Sequence, residues 1–280
     1  SSDLGGIPLE RKNRGEEYPL IVAGGPCAFN PEPLADFIDM FMVGDGEELI
    51  EDICMIKKEC ATKREFLEKA CLLDGVYVPE FYEPEYNDDG TLKNITKLYN
   101  KAPDRVRKAL IKNLDRQYFP EKPVVPFIET VHDRAVVETF RGCTRGCRFC
   151  QAGMIYRPVR ERRKETIERL AEAQLENTGH DELSLLSLST SDYSKFEDLA
   201  TELMNSCSEK NVALSLPSLR LDSFSFKVLD EIQGYRKSGL TFAPEAGSQR
   251  LRDIINKNIT QDDIMNAVGQ AIELGWEHIK

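Results

Sequence analysis

From about residue 135 onward the chain alternates short apolar runs with longer amphipathic ones, and this alternation narrows the choice of fold more than any other feature. "AVVETF" from 135, "LSLLSLS" from 183, "VALSL" from 212, "LTFA" from 240 and "WEHI" from 276 read as strands. Helical stretches lie between them. Phe196, Leu199, Ala200, Leu203, Met204 and Cys207 share one face behind a capping box of Ser194 and Glu197, and Ile264, Ala267, Val268, Ala271 and Ile272 repeat the pattern behind Thr260 and Asp263. Strands apolar on both faces, alternating with helices, call for a parallel sheet covered by helices. The expected fold class is α/β.

The strand starts recur every 28 to 36 residues after a first gap of 48, so the loop after the first strand is enlarged. In a β/α barrel the loops that follow strands form the active face. The enlarged loop is on that face, and His180, just before a strand, is not. It reads "RGCTRGCRFCQAG" over 141–153, with Cys143, Cys147 and Cys150 inside eight residues. A packed core gains nothing from thiols set among arginines, so this stretch is a site. Three thiolates so spaced can wrap one face of an iron-sulfur cluster or supply part of a zinc site, which wants four protein ligands. Gly142 and Gly146 let the backbone curl with its amides toward sulfur. Cys54, Cys60 and Cys71 read as small apolar residues on helix faces.

Three of the eight cysteines are clustered at ligand-like spacing and the opening residues carry no apolar signal core, so reduced thiols in a cytoplasmic protein are expected. No apolar run approaches the roughly 20 residues of a membrane helix. The net charge of -11 argues against indiscriminate nucleic-acid binding, yet residues 141–164 carry +7 and the rest of the chain -18. That basic window reads as counter-charge to an anionic cluster, as a solvated face, or as a contact for RNA phosphates.

Ahead of the alternating part, "PLIVAGGP" and "DMFMVGDGEE" read as two parallel strands joined by a helix-like "PEPLADFI". Residues 1–50 are therefore expected to be the end of a doubly wound domain. Residues 51–130 read as a connector with two helices, a hairpin at "NDDG" (87–90) and the Pro-rich "FPEKPVVPF", and 131–280 as the first part of a barrel. Two strands are too few for a doubly wound sheet and four strand-helix units too few for a closed barrel, so a piece of a longer polypeptide is expected.

Cys143-x-x-x-Cys147-x-Phe149-Cys150 resembles the signature of radical S-adenosylmethionine (SAM) enzymes, with an aromatic residue before the third cysteine. "ETFRGCTRGCRFCQAG" and "AGGP…GDGEE" also resemble a subgroup with an N-terminal cobalamin-type domain. The resemblance implies a partial radical-SAM barrel and a 4Fe-4S cluster on Cys143, Cys147 and Cys150, whose fourth iron takes the amino and carboxylate groups of SAM. Reductive cleavage would then yield methionine and a 5'-deoxyadenosyl radical, with an external donor such as flavodoxin or ferredoxin supplying the electron. It further implies Phe149 near the adenine, Arg220 toward the cofactor carboxylate and Glu245 toward the ribose or amino group. The Gly-Gly-Glu motif that follows the second strand in many relatives is absent here, which leaves Ser189, Thr190 and Ser191 as candidates for the methionine amino group, or Ser191 and Asp192 as a helix cap. The Asp-x-His-x-x-Gly motif that would bring a histidine to cobalt is also absent, so tight cobalamin binding by this chain is not expected.

The expected function is an enzyme that uses the radical on an unidentified substrate, for methyl or sulfur transfer, with RNA among the substrates that relatives allow. The alternatives are a non-catalytic iron-sulfur or zinc module that binds nucleic acid, and an electron-transfer protein.

Overall fold

Met40 and Phe41 are buried on both sides of one strand, and such a run needs neighbours on which to spend its amides and carbonyls. In the computed structural model, which describes residues 3–128, 130–217, 219–223 and 241–279, these neighbours come from both directions along the chain. β1 (Val22–Ala23) pairs parallel with β2 (Met40–Met42), and β3 (Val76–Tyr77) pairs antiparallel on the other side. The expected helix between β1 and β2 is only a 3-10 turn at Glu32–Leu34. Pro31 and Pro33 remove amide donors within three residues, and too few residues follow to recover a helix.

α1 (Glu47–Glu59) and α2 (Lys63–Ala70) close over this sheet, burying Leu49, Ile53, Phe66 and Leu67 against Met40 and Val76. β4 (Tyr82–Tyr86) and β5 (Leu92–Lys97) form the hairpin expected at "NDDG", whose turn is tied by an Asn87 amide donating to the Thr91 carbonyl at 2.8 Å. The chain divides into two compact units, Ser1–Lys112 and Asn113–Lys280. The division does not fall near 50 and 130, because α1, α2 and β3 complete one core with β2 instead of forming a separate connector.

In the second unit β6 (Ala135–Glu138) runs on through Thr139 into β7 (Phe140–Arg141), which pairs antiparallel with β8 (Arg160–Glu161). α3 (Ala152–Ile155) lies between β7 and β8, and α4 (Lys164–Thr178) follows β8. The chain then enters β9 (Glu182–Leu186), α5 (Phe196–Glu209) and β10 (Ala213–Ser215). The sheet order is β10-β9-β6, all parallel, with Val137 opposite Leu185 and Leu183 opposite Leu214. This is the α/β arrangement that the alternation predicts. Its core joins Val137, Leu183 and Leu185 with Ile167, Leu170, Leu199 and Leu203 of the two helices.

Two local expectations are corrected. Ser194 does not cap α5: Lys195 occupies the cap position without a side-chain bond, and the Ser194 hydroxyl and amide both go to Glu161, at 2.5 and 2.9 Å. A carboxylate brought up by β8 outcompetes a backbone amide for a short hydroxyl, because the charged acceptor makes the stronger bond. Toward the C-terminal end, α6 (Gln249–Ile254) and α7 (Gln261–Glu273) are present, and α7 carries the full Thr260–Asp263 capping box. Ile272 is exposed on α7, however, and "WEHI" is not a strand. Trp276 packs with Leu221, Phe242, Ile259, Ala267 and Ala271, and Ile279 makes only an isolated bridge. A strand requires a hydrogen-bonding neighbour; the one expected for "WEHI" starts at Leu240, outside the described residues, and 241–246 are irregular.

Candidate functional site

The cysteine loop is an excursion closed at its base. β7 and β8 bridge Phe140 to Glu161 and Arg141 to Arg160, so residues 142–159 leave the sheet and return at one point. Gly142 opens the loop at φ 95°, and a Cβ there would lie 2.6 Å from the Pro158 carbonyl oxygen. No other residue type fits that position. Gly146 turns the loop again at φ 72°.

Cys143, Cys147 and Cys150 are all free and partly exposed. The Arg145 amide donates to the Cys143 sulfur at 3.5 Å and the Gly153 amide to the Cys150 sulfur at 3.4 Å. Amides directed at sulfur suit a sulfur atom that ligates metal. Elsewhere, burial raises the Cys71 thiol and pushes Cys207 up to about 11, which keeps both protonated. Among the described residues no three His, Cys, Asp or Glu side chains converge on one metal ion. A cubane cluster takes its thiolates on separate irons. Three thiols, two amides aimed at sulfur and a backbone free of Cβ at Gly142 fit such a cluster.

Side chains from distant elements hold the loop. Arg145 forms a bidentate pair with Asp192 and donates to Asp222 at 3.0 Å. Burial acts to raise the Asp192 carboxyl, but the hydrogen bonds from Arg145 and the charges of Arg145 and Arg220 outweigh it and hold the pKa below the usual carboxylate range. The Arg157 guanidinium donates to the Cys143 carbonyl at 3.2 Å, and the Asn256 amide to that of Gly146 at 2.9 Å.

The remaining candidates sort by what their polar atoms already touch. The Thr190 hydroxyl is fully buried, donates to the Pro217 carbonyl at 2.6 Å and lies 3.1 Å from the Ser187 hydroxyl. It ties the ends of two strands, and its proton is already used. Ser189 is buried beside Asp192, and the Ser191 hydroxyl accepts from the Arg220 amide at 3.2 Å. Arg220 is bidentate to Asp222, at 2.9 and 3.1 Å, and donates to the Lys257 carbonyl at 3.2 Å. Glu245 has a φ of 67° and its carboxylate meets the Lys257 ammonium at 3.2 Å. That ammonium lies 5.8 Å from the centre of the Phe149 ring, which is 55% exposed. Phe149, Arg220 and Glu245 thus all meet at Lys257.

Sequence reasoning missed Lys257, Asn256, Asp192 as a loop anchor, and Asp222. Their signal was slight: an Asn-Lys-Asn turn after a helix, and acids just past strand ends.

The basic window has a structural explanation. Arg162 is buried against Glu138 and stacks over Phe119, with burial lowering its pKa. Arg141 pairs with Glu138, Arg163 with Asp115 and Lys164 with Glu202. Arg160 and Arg148 donate to backbone carbonyls, and Arg145 and Arg157 serve the cysteine loop. All eight cations have partners inside the unit, and Arg148 and Arg163 among them stay exposed to solvent.

The family model for the radical SAM superfamily matches residues 137–280, just over half of the chain, and that for the N-terminal part of radical SAM proteins matches residues 2–79. The chain belongs to the radical SAM superfamily. The cysteine loop lies inside the residues that the superfamily model matches. An uncharacterized protein of Methanocaldococcus jannaschii is 32% identical over 262 residues, which cover 93% of this chain and 50% of that protein. The chain thus spans about half the length of this curated relative.

Among solved structures, the radical SAM methyltransferase TsrM from Kitasatospora setae, with tryptophan and a SAM analogue bound, matches with a TM-score of 0.62 at 13% identity. That match covers 91% of this chain and 48% of TsrM. The cobalamin-dependent radical SAM enzyme OxsB matches at 0.60 and 16% identity, over 93% of this chain and 35% of OxsB. At such identities these matches establish a shared radical SAM fold. No helix among the described residues is long and apolar enough to cross a membrane.

Proposed function

We propose that this chain cleaves SAM reductively at a 4Fe-4S cluster on Cys143, Cys147 and Cys150 and directs the product at an unactivated carbon, with methyl transfer the favoured outcome. The observation that carries the reading is the closed loop after the first parallel strand, with three partly exposed thiols and two amides aimed at sulfur. Methyl transfer is favoured over sulfur insertion because the chain shares its fold with TsrM, described as a methyltransferase. When bound, the cluster supplies the electron that breaks the sulfonium bond of SAM.

The residues of the chain hold and orient. Gly142 and Gly146 shape the loop, and Arg145, through Asp192 and Asp222, fixes it to the ends of β9 and β10. Phe149 presents an exposed ring face for the adenine. Ser189, Thr190, Arg220 and Glu245 would serve the cofactor as a frame around it. The Thr190 hydroxyl is committed to the Pro217 carbonyl, and Arg220 is held by Asp222 through its Nε and Nη2. A soluble one-electron donor, flavodoxin or ferredoxin, would reduce the cluster. Cobalamin, if the reaction uses it, would be held largely by parts of the protein other than these residues, as no histidine here is placed in an Asp-x-His-x-x-Gly motif. An RNA substrate draws no support from the 141–164 window, whose cations are internally paired.

The test is anaerobic reconstitution followed by iron analysis, EPR and product assay. About four irons per chain are expected, with methionine and 5'-deoxyadenosine formed under a strong reductant. Zinc without iron would sink the proposal.

A further inference from the structure

Asn256, Lys257 and Asn258 form a turn after α6 in which both asparagines are left-handed, at φ 54° and 52°. Asparagine is the side-chain-bearing residue that takes this conformation most readily. The turn it makes here is bonded to the cysteine loop. The Asn256 amide donates to the carbonyls of Gly146 at 2.9 Å and Arg145 at 3.4 Å, the Arg148 amide donates to the Ile255 carbonyl at 2.9 Å, and the Arg148 guanidinium reaches the Ile254 carbonyl.

Within this turn Lys257 is only 9% exposed. A lysine so buried needs a partner, because an unpaired ammonium loses far more hydration than packing returns. Its partners are the Glu245 carboxylate at 3.2 Å and the face of Phe149, 5.8 Å from the ring centre, while its carbonyl accepts from Arg220. An exposed ion pair would leave its members free to move. Here one buried cation joins a loop residue to a residue beyond the fourth expected strand.

We infer that Lys257 is a positioning residue: its ammonium sets the Glu245 carboxylate and the Phe149 ring in one arrangement, which the Asn256 amide registers against the cysteine loop. This rests on the cofactor site proposed above. The residue acts through its neighbours and need not touch the reacting atoms.

The experiment compares the reconstituted protein with Lys257→Met, Lys257→Arg, Glu245→Gln and the Lys257→Met/Glu245→Gln double variant. Iron content, the EPR spectrum and the SAM dissociation constant by equilibrium dialysis are read for each. Iron and spectrum should be retained in all. Lys257→Met should weaken SAM binding about tenfold, Lys257→Arg should recover most of that loss, and the double variant should be no weaker than the worse single one. Unchanged affinity in Lys257→Met, or full additivity in the double variant, overturns the inference. Should Lys257→Met fail to fold by circular dichroism, Glu245→Gln removes the same pair from its more exposed side, and unchanged affinity there overturns it equally.

A second arm needs no cofactor. Asn256→Gly keeps the left-handed backbone and deletes the amide, so hydrogen exchange over 143–153 should rise in cluster-free protein. Unchanged exchange would remove the link to the cysteine loop. Absence of iron or of SAM binding in the unaltered protein would instead sink the proposed function, while this exchange arm would still judge the turn.

Discussion

Two glycine-bearing loops of this chain, one after β1 and one after β7, differ in how much of their shape the surroundings enforce. After β1, Gly25 stands at φ 88°, and a Cβ built on it meets nothing within 4 Å. After β7, Gly142 stands at φ 95°, and a Cβ there would sit 2.6 Å from the Pro158 carbonyl oxygen and 2.9 Å from that of Tyr156. The first is an open turn that needs glycine only for its dihedrals. The second is a packed excursion in which the returning chain occupies the place of a side chain.

The comparison is broken most severely by removing what the packed loop presents. Changing any one of Cys143, Cys147 or Cys150 to Ala should abolish the oxygen-sensitive visible absorbance of reconstituted protein, whereas Cys54, Cys60, Cys71 and Cys207 to Ala should retain it. Loss of the cluster from a stable variant of the second group would count against the assignment.

Next in size are the glycines themselves. Gly142→Ala adds an overlap with backbone to an unfavourable dihedral, and should both lower the melting temperature and prevent iron loading. Gly25→Ala bears the dihedral strain alone, about 1 to 3 kcal/mol, and should load iron normally. Equal behaviour of the two variants would erase the distinction between packed and open loops.

A smaller effect concerns pH. The Asp192 carboxyl is held below its usual range in the folded protein despite burial. Its contribution is therefore complete above the unfolded value of about 3.9 and is lost as pH falls through the folded value. Protease susceptibility of the cysteine loop in cluster-free protein should rise on acidification below about pH 4. Asp192→Asn should show the raised susceptibility already at neutral pH, with the acid step gone, and a step that survives in this variant would assign it elsewhere.

The smallest contrast is between two hydroxyls of similar sequence context. Thr260→Ala removes a formed capping box and should cost about 1 kcal/mol by denaturant titration. Ser194→Ala leaves α5 without any change of cap, since Ser194 serves Glu161, and should leave the helicity of α5 unaltered. A matching loss of helix from both would restore Ser194 to the cap.

What short-range chemistry dictates was legible from the residues alone. Apolar alternation placed β6, β9 and β10 and their helices, "NDDG" placed the hairpin, Thr260 and Asp263 placed a helix start, and the spacing of Cys143, Cys147 and Cys150 marked the loop. Each depends on residues within a few positions of one another, where backbone periodicity already determines which side chains are neighbours.

The partners of charges were not legible. Arg145 finds Asp222 across 77 positions and Asn256 finds Gly146 across 110, while Ser194 abandons its helix for a glutamate 33 residues earlier. The window 141–164 read as counter-charge to a cluster, as a solvated face or as a contact for phosphates, and in the fold its cations take carboxylates and carbonyls as partners. A charge does not select its partner by sequence distance. It takes the strongest acceptor that the packed backbone brings within reach, and only the tertiary structure decides which acceptor that is.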